Sequence, residues 1–502
     1  MLLPVLSKPL LSGSTEDKHF SYNPDSWNNE VMHPLMIGVA QLLEMLFSLF
    51  REKGEELYLV GGYVRDRLLG WETRDYDFAT SARPEVTKGI LESGGFRVIP
   101  IGMEFGTVAA VINSESGPAE VQITTYRCRE SYRRGSRHPD VLFGMNLEED
   151  LVRRDFTVNA MAMDEKGSII DPLGGRKDLK GKVIRTPMSP DETFSEDPLR
   201  MLRAFRFACR LGFSIEEKTL EAIGKQHRRI MDISRERWKM EMDPLLATED
   251  GEKVSRVLRM MRDTGILQDM IPQFNEMFKQ DGMPQGKAHY CDVWEHTLDV
   301  VRQTEGGSTC LRWAALLHDI GKPPCRTVDE DENPHYYGHQ KTGFDYANET
   351  AERFRFSRKE RKCVSFLVKN HMRPVLYSSE WSDRAVRKLA IESGEYLDLL
   401  LDLASADIAA HSESYASGGA ARMTELRERL HRLMPDTRRR VLPGDLGEVL
   451  MQKAAADTGS FPEIGIILSN LEELVHQGIL PEMAPPQVYL DYLAEHPELK
   501  QK

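Results

Sequence analysis

Leu57-Tyr58-Leu59-Val60 is a short unbroken apolar run closed by Gly61-Gly62, the pattern of a buried strand that ends in a tight turn. Upstream, Met36, Val39, Leu42, Leu43, Met45, Leu46 and Phe50 recur at helical spacing and predict an amphipathic helix over Pro34 to Lys53. Downstream, Val64 to Leu69 suits a short helix, Tyr76-Asp77-Phe78-Ala79 a second strand, and Pro84 to Ser93 a helix stopped by Gly94-Gly95. Phe96 to Ile101, Gly106 to Asn113 and Ala119 to Thr124 read as further strands of one small sheet. Few core-forming residues interrupt YRCRESYRRGSRHPDVLFGMNLEEDL before Val141, which predicts a mobile basic loop. Beyond it the period turns helical. Ser195 to Phe213 predicts one helix, with Ser195 as N-cap, Pro198 in the first turn and Gly212 as the stop. Helical spacing continues through Ile215 to Ala247, Val254 to Ile266, and from Ala420 onward. The pattern predicts an α+β protein, a small mixed sheet with helices followed by an all-α remainder.

Composition narrows the class. A chain of 502 residues can build three or four compact units with cores of their own. No apolar run approaches the length of a membrane span, and Met1 to Asn29 is polar and turn-rich without a signal-peptide pattern. Six cysteines (Cys128, Cys209, Cys291, Cys310, Cys325 and Cys363) form no CxxC pair and fit reduced thiols in a cytoplasm. The net charge of −13 speaks mildly against nucleic acid as a bulk partner, but the charge is uneven. Arg127, Arg129, Arg133, Arg134 and Arg137 stand against a single Glu130, and Lys225 to Lys239 and Arg422 to Arg440 are also rich in base.

Asp75 and Asp77 are two apart on a predicted strand, so their carboxylates share one face while Tyr76 takes the other. Two such carboxylates repel each other unless a cation or a proton lies between them. Hard oxygen ligands without nearby cysteine or histidine favour Mg²⁺. Gly61 and Gly62 let backbone N–H groups approach an anion, and Arg65 adds a charged fork. The combination points to a nucleoside triphosphate and metal-assisted phosphoryl chemistry. Glu120, on a neighbouring strand, is the candidate third carboxylate. Arg153 and Arg154 would neutralise triphosphate or sugar oxygens, and Asp155 and Asn159 could hold a ribose hydroxyl.

In order and spacing, GGYVRD followed by RDYDFAT resembles the nucleotidyltransferase signature of the class II tRNA nucleotidyltransferase and bacterial poly(A) polymerase family. RRDFTVNAMAMD resembles the family's second motif, and DPLGGRKDLKGKVIRTP (Asp171 to Pro187) its hinge-like third. Glu196-Asp197-Pro198-Leu199-Arg200 resembles the EDxxR motif that reads the incoming base. The resemblance implies a polymerase-β-like head with Asp75 and Asp77 as metal ligands. It also implies a triphosphate against Gly61, Gly62 and Arg65, and nucleotide contacts from Asp197, Arg200, Arg203 and Arg206.

A second signature begins near Cys291. VWEHTLDVV carries His296, CLRWAALLHDIGKP carries adjacent His318 and Asp319, and LLDLASADIAAHS carries Asp407. This resembles the HD phosphohydrolase superfamily, whose divalent-metal ligands would map to His296, His318, Asp319 and Asp407. Imidazole with carboxylate suits a transition metal or Mg²⁺/Mn²⁺ with open positions. His339 and His371 could complete a second metal site or be inert.

The resemblance covers about Leu57 to Leu480 and implies this layout: residues 1–30 loose, 31–187 the head, 188–287 a helical neck and body, 288–412 the HD unit, and 413–502 a helical tail. The implied reaction adds CCA to tRNA 3′ ends from CTP and ATP, with a metal-dependent HD phosphohydrolase beside it. The resemblance leaves the oligomeric state open. The alternatives are a poly(A) polymerase, or an enzyme adding only CC or only A. GMEFGTVAAVI looks like the GxxHGTV run of CCA-adding enzymes, with Phe105 in place of the usual His, and Glu196 precedes Asp197 where bacterial poly(A) polymerases tend to carry a base. The basic stretch after Thr125 favours a capacity to add A. A rival of another class is an HD hydrolase whose head only binds nucleotide; intact Asp75 and Asp77 argue against it.

Overall fold

The computed structural model describes residues 39–73, 75–99, 102–114, 117–132, 139–279, 292–304, 308–434, 442–457, 464–476 and 478–500. Nine strands among the described residues lie between Leu57 and Ile170: β1 (Leu57–Val60), β2 (Tyr76–Thr80), β3 (Arg97–Ile99), β4 (Thr107–Ser114), β5 (Gly117–Thr125), β6 (Arg127–Tyr132), β7 (Pro139–Phe143), β8 (Ala162–Met163) and β9 (Ile169–Ile170). Seven of them form a mixed sheet in the order β3-β4-β5-β2-β1-β8-β9. Strand β2 runs parallel to β5, with Tyr76 opposite Val121 and Asp77 opposite Gln122, and antiparallel to β1.

Period two sorts the sheet into a core face and a site face. Leu57, Leu59, Tyr76, Phe78, Val121 and Ile123 point into the main core, where helices Val39–Glu52 and Pro84–Ser93 cover them with Leu42, Leu46, Phe50, Ile90 and Leu91. Phe47 meets Phe78 edge-on at 5.9 Å. The opposite face carries Val60, Ala79 and Ala162, packed under Tyr126, Leu147 and Leu151. Asp77, next to Ala79, belongs to that second face, and the register sets Asp75 beside Glu120. The two sides of one strand thus separate core from chemistry.

The stretch after Tyr126 is a hairpin of β6 and β7 with an irregularity between Arg127 and Arg129, not the predicted loop. Two strands can pair through backbone alone, which leaves no apolar alternation for a sequence to show. The tip, residues 133–138, lies outside the described residues, as do residues 34–38 of the predicted first helix.

The predicted single helix from Ser195 is two helices, Pro190–Glu196 and Leu199–Leu211, broken at Asp197, which is extended at φ −139° and ψ 102°. A residue before proline is pushed away from the helical region, so Pro198 starts the second helix and ends the first. Ser195 therefore sits inside a helix and is not an N-cap. Gly212 closes the second helix at φ 72°, as the pattern predicts. Main-core packing runs without a break from Leu42 through the neck to Leu430 in the HD body. Trp238 on the neck helix Arg235–Leu246 meets Phe354, and Phe354 meets Trp313, in edge-on contacts that lock neck to HD body. The tail helices Leu446–Asp457, Ile464–His476 and Pro486–Glu495 form a separate cluster around Leu446, Leu471 and Tyr489. No helix among the described residues is long and apolar enough to cross a membrane.

Candidate active sites in the head and the HD body

A cavity of about 470 Å³ opens where the β1 turn, the end of β2, the 153–159 stretch and the neck helix Leu199–Leu211 converge. Gly61, Gly62, Arg65, Asp75, Asp77, Arg153, Arg154, Asp155, Asn159, Asp197, Arg200, Arg203 and Arg206 all border it, so residues spread over nearly 150 positions share one surface. Gly61 is at φ 68°, a left-handed conformation that residues with a side chain rarely adopt, and a Cβ there would stand 3.1 Å from the Arg154 guanidinium, which would have to shift.

Cations dominate the wall, and buried acids hold them in place. Asp150, fully buried, receives Arg153 at 2.6 Å and Arg154 at 2.8 Å. Burial opposes its ionisation, but the two guanidinium groups outweigh that and hold its pKa at about 2. Asp155 takes a two-pronged bond from Arg203, Nε at 2.8 Å and Nη2 at 2.5 Å, and a third from Asn159 Nδ2 at 3.1 Å. Burial again works against the charge, and Arg203 with Asn159 brings its pKa to about 2. Arg65 donates to Asp66 and to Asn159 Oδ1, each at 2.7 Å, and lies over the Phe207 ring. Asp155 and Asn159 are thus engaged with arginines, where the sequence assigned them to a ribose hydroxyl. Arg206 bonds Glu241 on the next neck helix. At the sheet end, burial raises the pKa of Asp77, Arg154 pulls it back, and Asp75 and Glu120 push it further up. Glu120 is exposed and stands outside the cavity rim, on the same face as Asp77.

Asp197 and Arg200 both border the cavity, but the break at Asp197 means they do not share a helix face. Asp197 accepts from Leu199 N at 3.0 Å and from Arg237 Nη2 at 3.1 Å; Arg200 Nη2 donates to Arg153 O at 2.7 Å. Arg237, Phe207, Asp66 and Arg210 also line the cavity, with Thr73 and Leu199, and carry no signal in the sequence pattern.

The second site lies inside the HD body, where five helices or their ends bring histidines and carboxylates together. His296 Nε2 is 3.0 Å from Asp407 Oδ1 and 3.8 Å from Asp319 Oδ2, and His318 Nε2 is 3.1 Å from Asp319 Oδ2. His339 Nε2 is 3.4 Å from Asp319 Oδ1, and His371 Nε2 is 3.1 Å from His339 Nε2. All six residues are buried. The Nδ1 atoms of His296, His318, His339 and His371 face the carbonyls of Ala410, Ala315, Tyr336 and Val368, so each carries its proton there and turns Nε2 inward. Three overlapping groups have ligand atoms within 4.8 Å: His296-His318-Asp319, His296-Asp407-His411 and Asp319-His339-His371. His318 Nε2 and Asp319 Oδ2 make no well-shaped hydrogen bond, although Lys322 Nζ is 2.6 Å from the latter. Burial disfavours the Asp319 and Asp407 carboxylates, yet His318, Lys322 and His296 keep both well below the ordinary range. Ionised acids facing inward nitrogen lone pairs in a dry pocket fit a divalent cation. His411, four residues after Asp407, joins this set; the i,i+4 spacing at a helix end was its sequence signal.

Family profiles place the same pieces in the same order. A poly A polymerase head domain matches residues 57–185, a probable RNA and SrmB-binding site of polymerase A matches 212–278, and an HD domain matches 288–428. The chain belongs to the tRNA nucleotidyltransferase and poly(A) polymerase family. It is 44% identical to the CCA-adding enzyme of Geobacillus kaustophilus over 216 residues, 43% of this chain and 51% of that one. It is 41% identical to the CCA-adding enzyme of Geobacillus stearothermophilus over 291 residues, 56% of this chain and 66% of that one. The chain spans about half the length of the curated relatives it matches. Its fold is similar to a Bacillus stearothermophilus CCA-adding enzyme solved with CTP, at 25% identity and a TM-score of 0.61 over 92% of this chain and 98% of that one. A Thermotoga maritima CCA-adding enzyme complexed with tRNA shares the fold, with a TM-score of 0.53 over 91% of this chain and 95% of that one. The cavity residues from Gly61 to Asn159 fall within the head-domain match, and the histidine cluster falls within the HD-domain match.

Proposed function

We propose that the protein adds CCA to tRNA 3′ ends from CTP and ATP, releasing pyrophosphate, in the cytoplasm. The carrying observation is the convergence of Gly61-Gly62, Asp75 and Asp77, Arg153-Arg154 and Asp197-Arg200 on one cavity from four separate segments. The CCA-adding enzymes named above, one of them solved with CTP, support the choice of substrates.

Each segment has one task. Gly61 and Gly62 bring backbone N–H groups close to the triphosphate, and Arg153 and Arg154, fixed by Asp150, offset its charge. Asp75 and Asp77, with Glu120 beside them, form an acidic face that fits Mg²⁺, since burial and the two neighbouring carboxylates disfavour the charge on half-buried Asp77 and a cation would offset them. Bound there, Mg²⁺ supplies Lewis-acid activation of the attacking 3′-hydroxyl and charge neutralisation of the leaving pyrophosphate. Asp197 accepts from the exocyclic amine that cytosine and adenine share, and Arg200 donates to their adjacent ring nitrogen. Arg203 and Arg206 hold the cavity wall through Asp155 and Glu241.

The HD centre is read as an independent metal-dependent phosphohydrolase. His296, His318, Asp319 and Asp407 would hold one divalent ion, and Asp319, His339 and His371, whose ligand atoms lie within 4.8 Å of one another, a second. A divalent ion held there would supply Lewis-acid polarisation of a phosphate ester and an activated water. Tyr336, Tyr337 and Lys322 line the approach, a cavity of about 530 Å³.

Purified protein given tRNA lacking its 3′ end, Mg²⁺ and each labelled nucleotide tests the first reading. The expected products are tRNA plus C, CC and CCA. Long adenylate tails on any RNA would establish a poly(A) polymerase instead; arrest after CC, or A added only to tRNA ending in CC, would mark a partial enzyme.

A further inference from the structure

Helices His339–Arg353 and Arg358–Asn370, the first beginning with His339 and the second ending just before His371, enclose a concave surface of about 700 Å³ whose lining includes no residue of the head cavity or of the histidine cluster. Arg358, Arg361, Lys362, Lys369 and Arg373 border it against one acid, Glu392. Glu392 is taken by Arg373 at 2.7 Å, and Arg361 is taken by Glu352 at 2.7 Å. Arg358, Lys362 and Lys369 have no carboxylate within ion-pair distance among the described residues. In a chain of net charge −13, three unneutralised cations in one hollow call for a ligand.

Three details describe that ligand. Arg358, Lys362, Ser365 and Lys369 recur at i, i+4, i+7 and i+11, so they form one stripe on a helix. At about 1.5 Å per residue the cations span about 16 Å, longer than one nucleotide and matched to consecutive phosphates of a strand. Phe344 and Phe366 lie between the cations, with Lys369 5.0 Å from the Phe344 ring. The Ser365 hydroxyl, 3% exposed and without a hydrogen-bond partner among the described residues, also lines the hollow. The same helix is tied to the catalytic neck. Glu360 receives Lys239 at 2.8 Å, and Lys239 stands two residues from Arg237, which borders the head cavity.

We infer that this hollow binds the phosphodiester backbone of RNA, holding the body of the tRNA whose 3′ end occupies the head. The inference rests on the reading of the head as a tRNA nucleotidyltransferase, and its test is kept apart from nucleotide addition. Binding of a tRNA transcript lacking its 3′ CCA is measured on the full chain without nucleotide, from about 0.05 to 0.3 M salt. The variants are the Arg358→Gln, Lys362→Gln, Lys369→Gln triple and its Glu counterpart, checked for wild-type thermal unfolding. Three lost phosphate contacts should weaken binding about tenfold or more and flatten log K against log salt by about two units. The KM for CTP should stay unchanged. Unaltered affinity and slope in the folded Gln variant, or wild-type protein that does not bind tRNA, would overturn the inference. Loss of CTP affinity with RNA binding intact would overturn it too, marking a mononucleotide site. A wild-type chain that binds tRNA but extends none defeats the reading of the head and leaves the hollow judged by the binding difference alone.

Discussion

Arg237 Nη2 lies 3.1 Å from Asp197 Oδ2, across forty positions of sequence, and both side chains face the head cavity. Asp197 is in the break between two helices, and its side chain is aimed by the Leu199 amide on one carboxylate oxygen and Arg237 on the other. A carboxylate that must meet an exocyclic amine needs that anchoring, because base discrimination of about 1–3 kcal/mol depends on paired geometry. Arg237→Ala is expected to lower kcat/KM for CTP and ATP about tenfold to a hundredfold and to narrow their margin over UTP and GTP. Arg237→Lys should recover part of the rate but not the margin, since it lacks the planar fork. Asp197→Ala should narrow the margin at least as far. Competition between the four nucleotides reads the margin directly; a variant with full discrimination would show that the base is read elsewhere.

Asp75→Ala and Asp77→Ala should abolish nucleotide addition while the protein stays folded. The buried side of β2 is Tyr76, Phe78 and Thr80, which neither change touches. Unchanged circular dichroism and thermal midpoint with addition lowered by at least a thousandfold is the expected pair of results. A folded double variant that extends tRNA at near-normal rate would remove these carboxylates from the chemistry.

Independence of the two centres follows from their separate ligand sets. His318→Ala with Asp319→Ala should eliminate Mn²⁺-, Ni²⁺- or Co²⁺-dependent hydrolysis of phosphate esters and leave tRNA extension within about threefold of wild type. Assays with a nucleoside 2′,3′-cyclic phosphate and with p-nitrophenyl phosphate check it. Wild-type protein inert toward both with every metal would make the HD centre structural.

What the sequence could reveal depended on whether a residue's partner was local. GGYVRD, RDYDFAT and HDIGKP carry their chemistry within a turn or a strand, and each of these stretches is where the sequence placed it. Arg237 and Asp150 escaped for the opposite reason. Asp150 in LEEDL reads as an acid near a helix start, and only folding shows that it holds Arg153 and Arg154. Arg237 meets Asp197 solely through packing of two neck helices. The break at Asp197 was legible in principle, since Pro198 restricts its neighbour; placing Pro198 in the first turn of one long helix hid it. The β6–β7 hairpin lacked any alternating pattern to read.

Acid should loosen the head in a defined window. Asp150 and Asp155 titrate near pH 2 in the folded chain against an ordinary carboxyl value of 3.8. Their folded pKa values are depressed, so the stability they contribute is complete above about pH 5 and is lost as pH falls from about 4 through 2. Each shift corresponds to about 2 kcal/mol. The thermal midpoint should therefore be flat between pH 7 and 5 and drop steeply below 4. Asp150→Asn should flatten part of that drop and cost about 3 kcal/mol or more at pH 7, because Arg153 and Arg154 lose a buried counter-charge. A variant as stable as wild type at pH 7 would show that the arginines find other partners.

His339 and His371 present the sharpest demand for an ion. Their Nε2 atoms are 3.1 Å apart, and both Nδ1 protons are already given to carbonyls, of Tyr336 and Val368. Two lone pairs therefore face each other, with the Asp319 carboxylate at 3.4 Å from the first. Protonating one ring would relieve the repulsion, but burial pushes the pKa of His339 down and that of His371 to about 3. A divalent cation relieves it at neutral pH, and Asp319 would then bridge this ion and the one held by His296, His318 and Asp407. In an Asp75→Ala, Asp77→Ala background, which removes the head's ligands, dialysed protein should retain two Mn²⁺ or Ni²⁺ per chain. His371→Ala should reduce this to one and replace the broad, closely spaced Mn²⁺ paramagnetic resonance pattern of a coupled pair by the simpler pattern of an isolated ion. One ion per chain in both proteins would leave the lone pairs unexplained and confine the HD centre to a single metal.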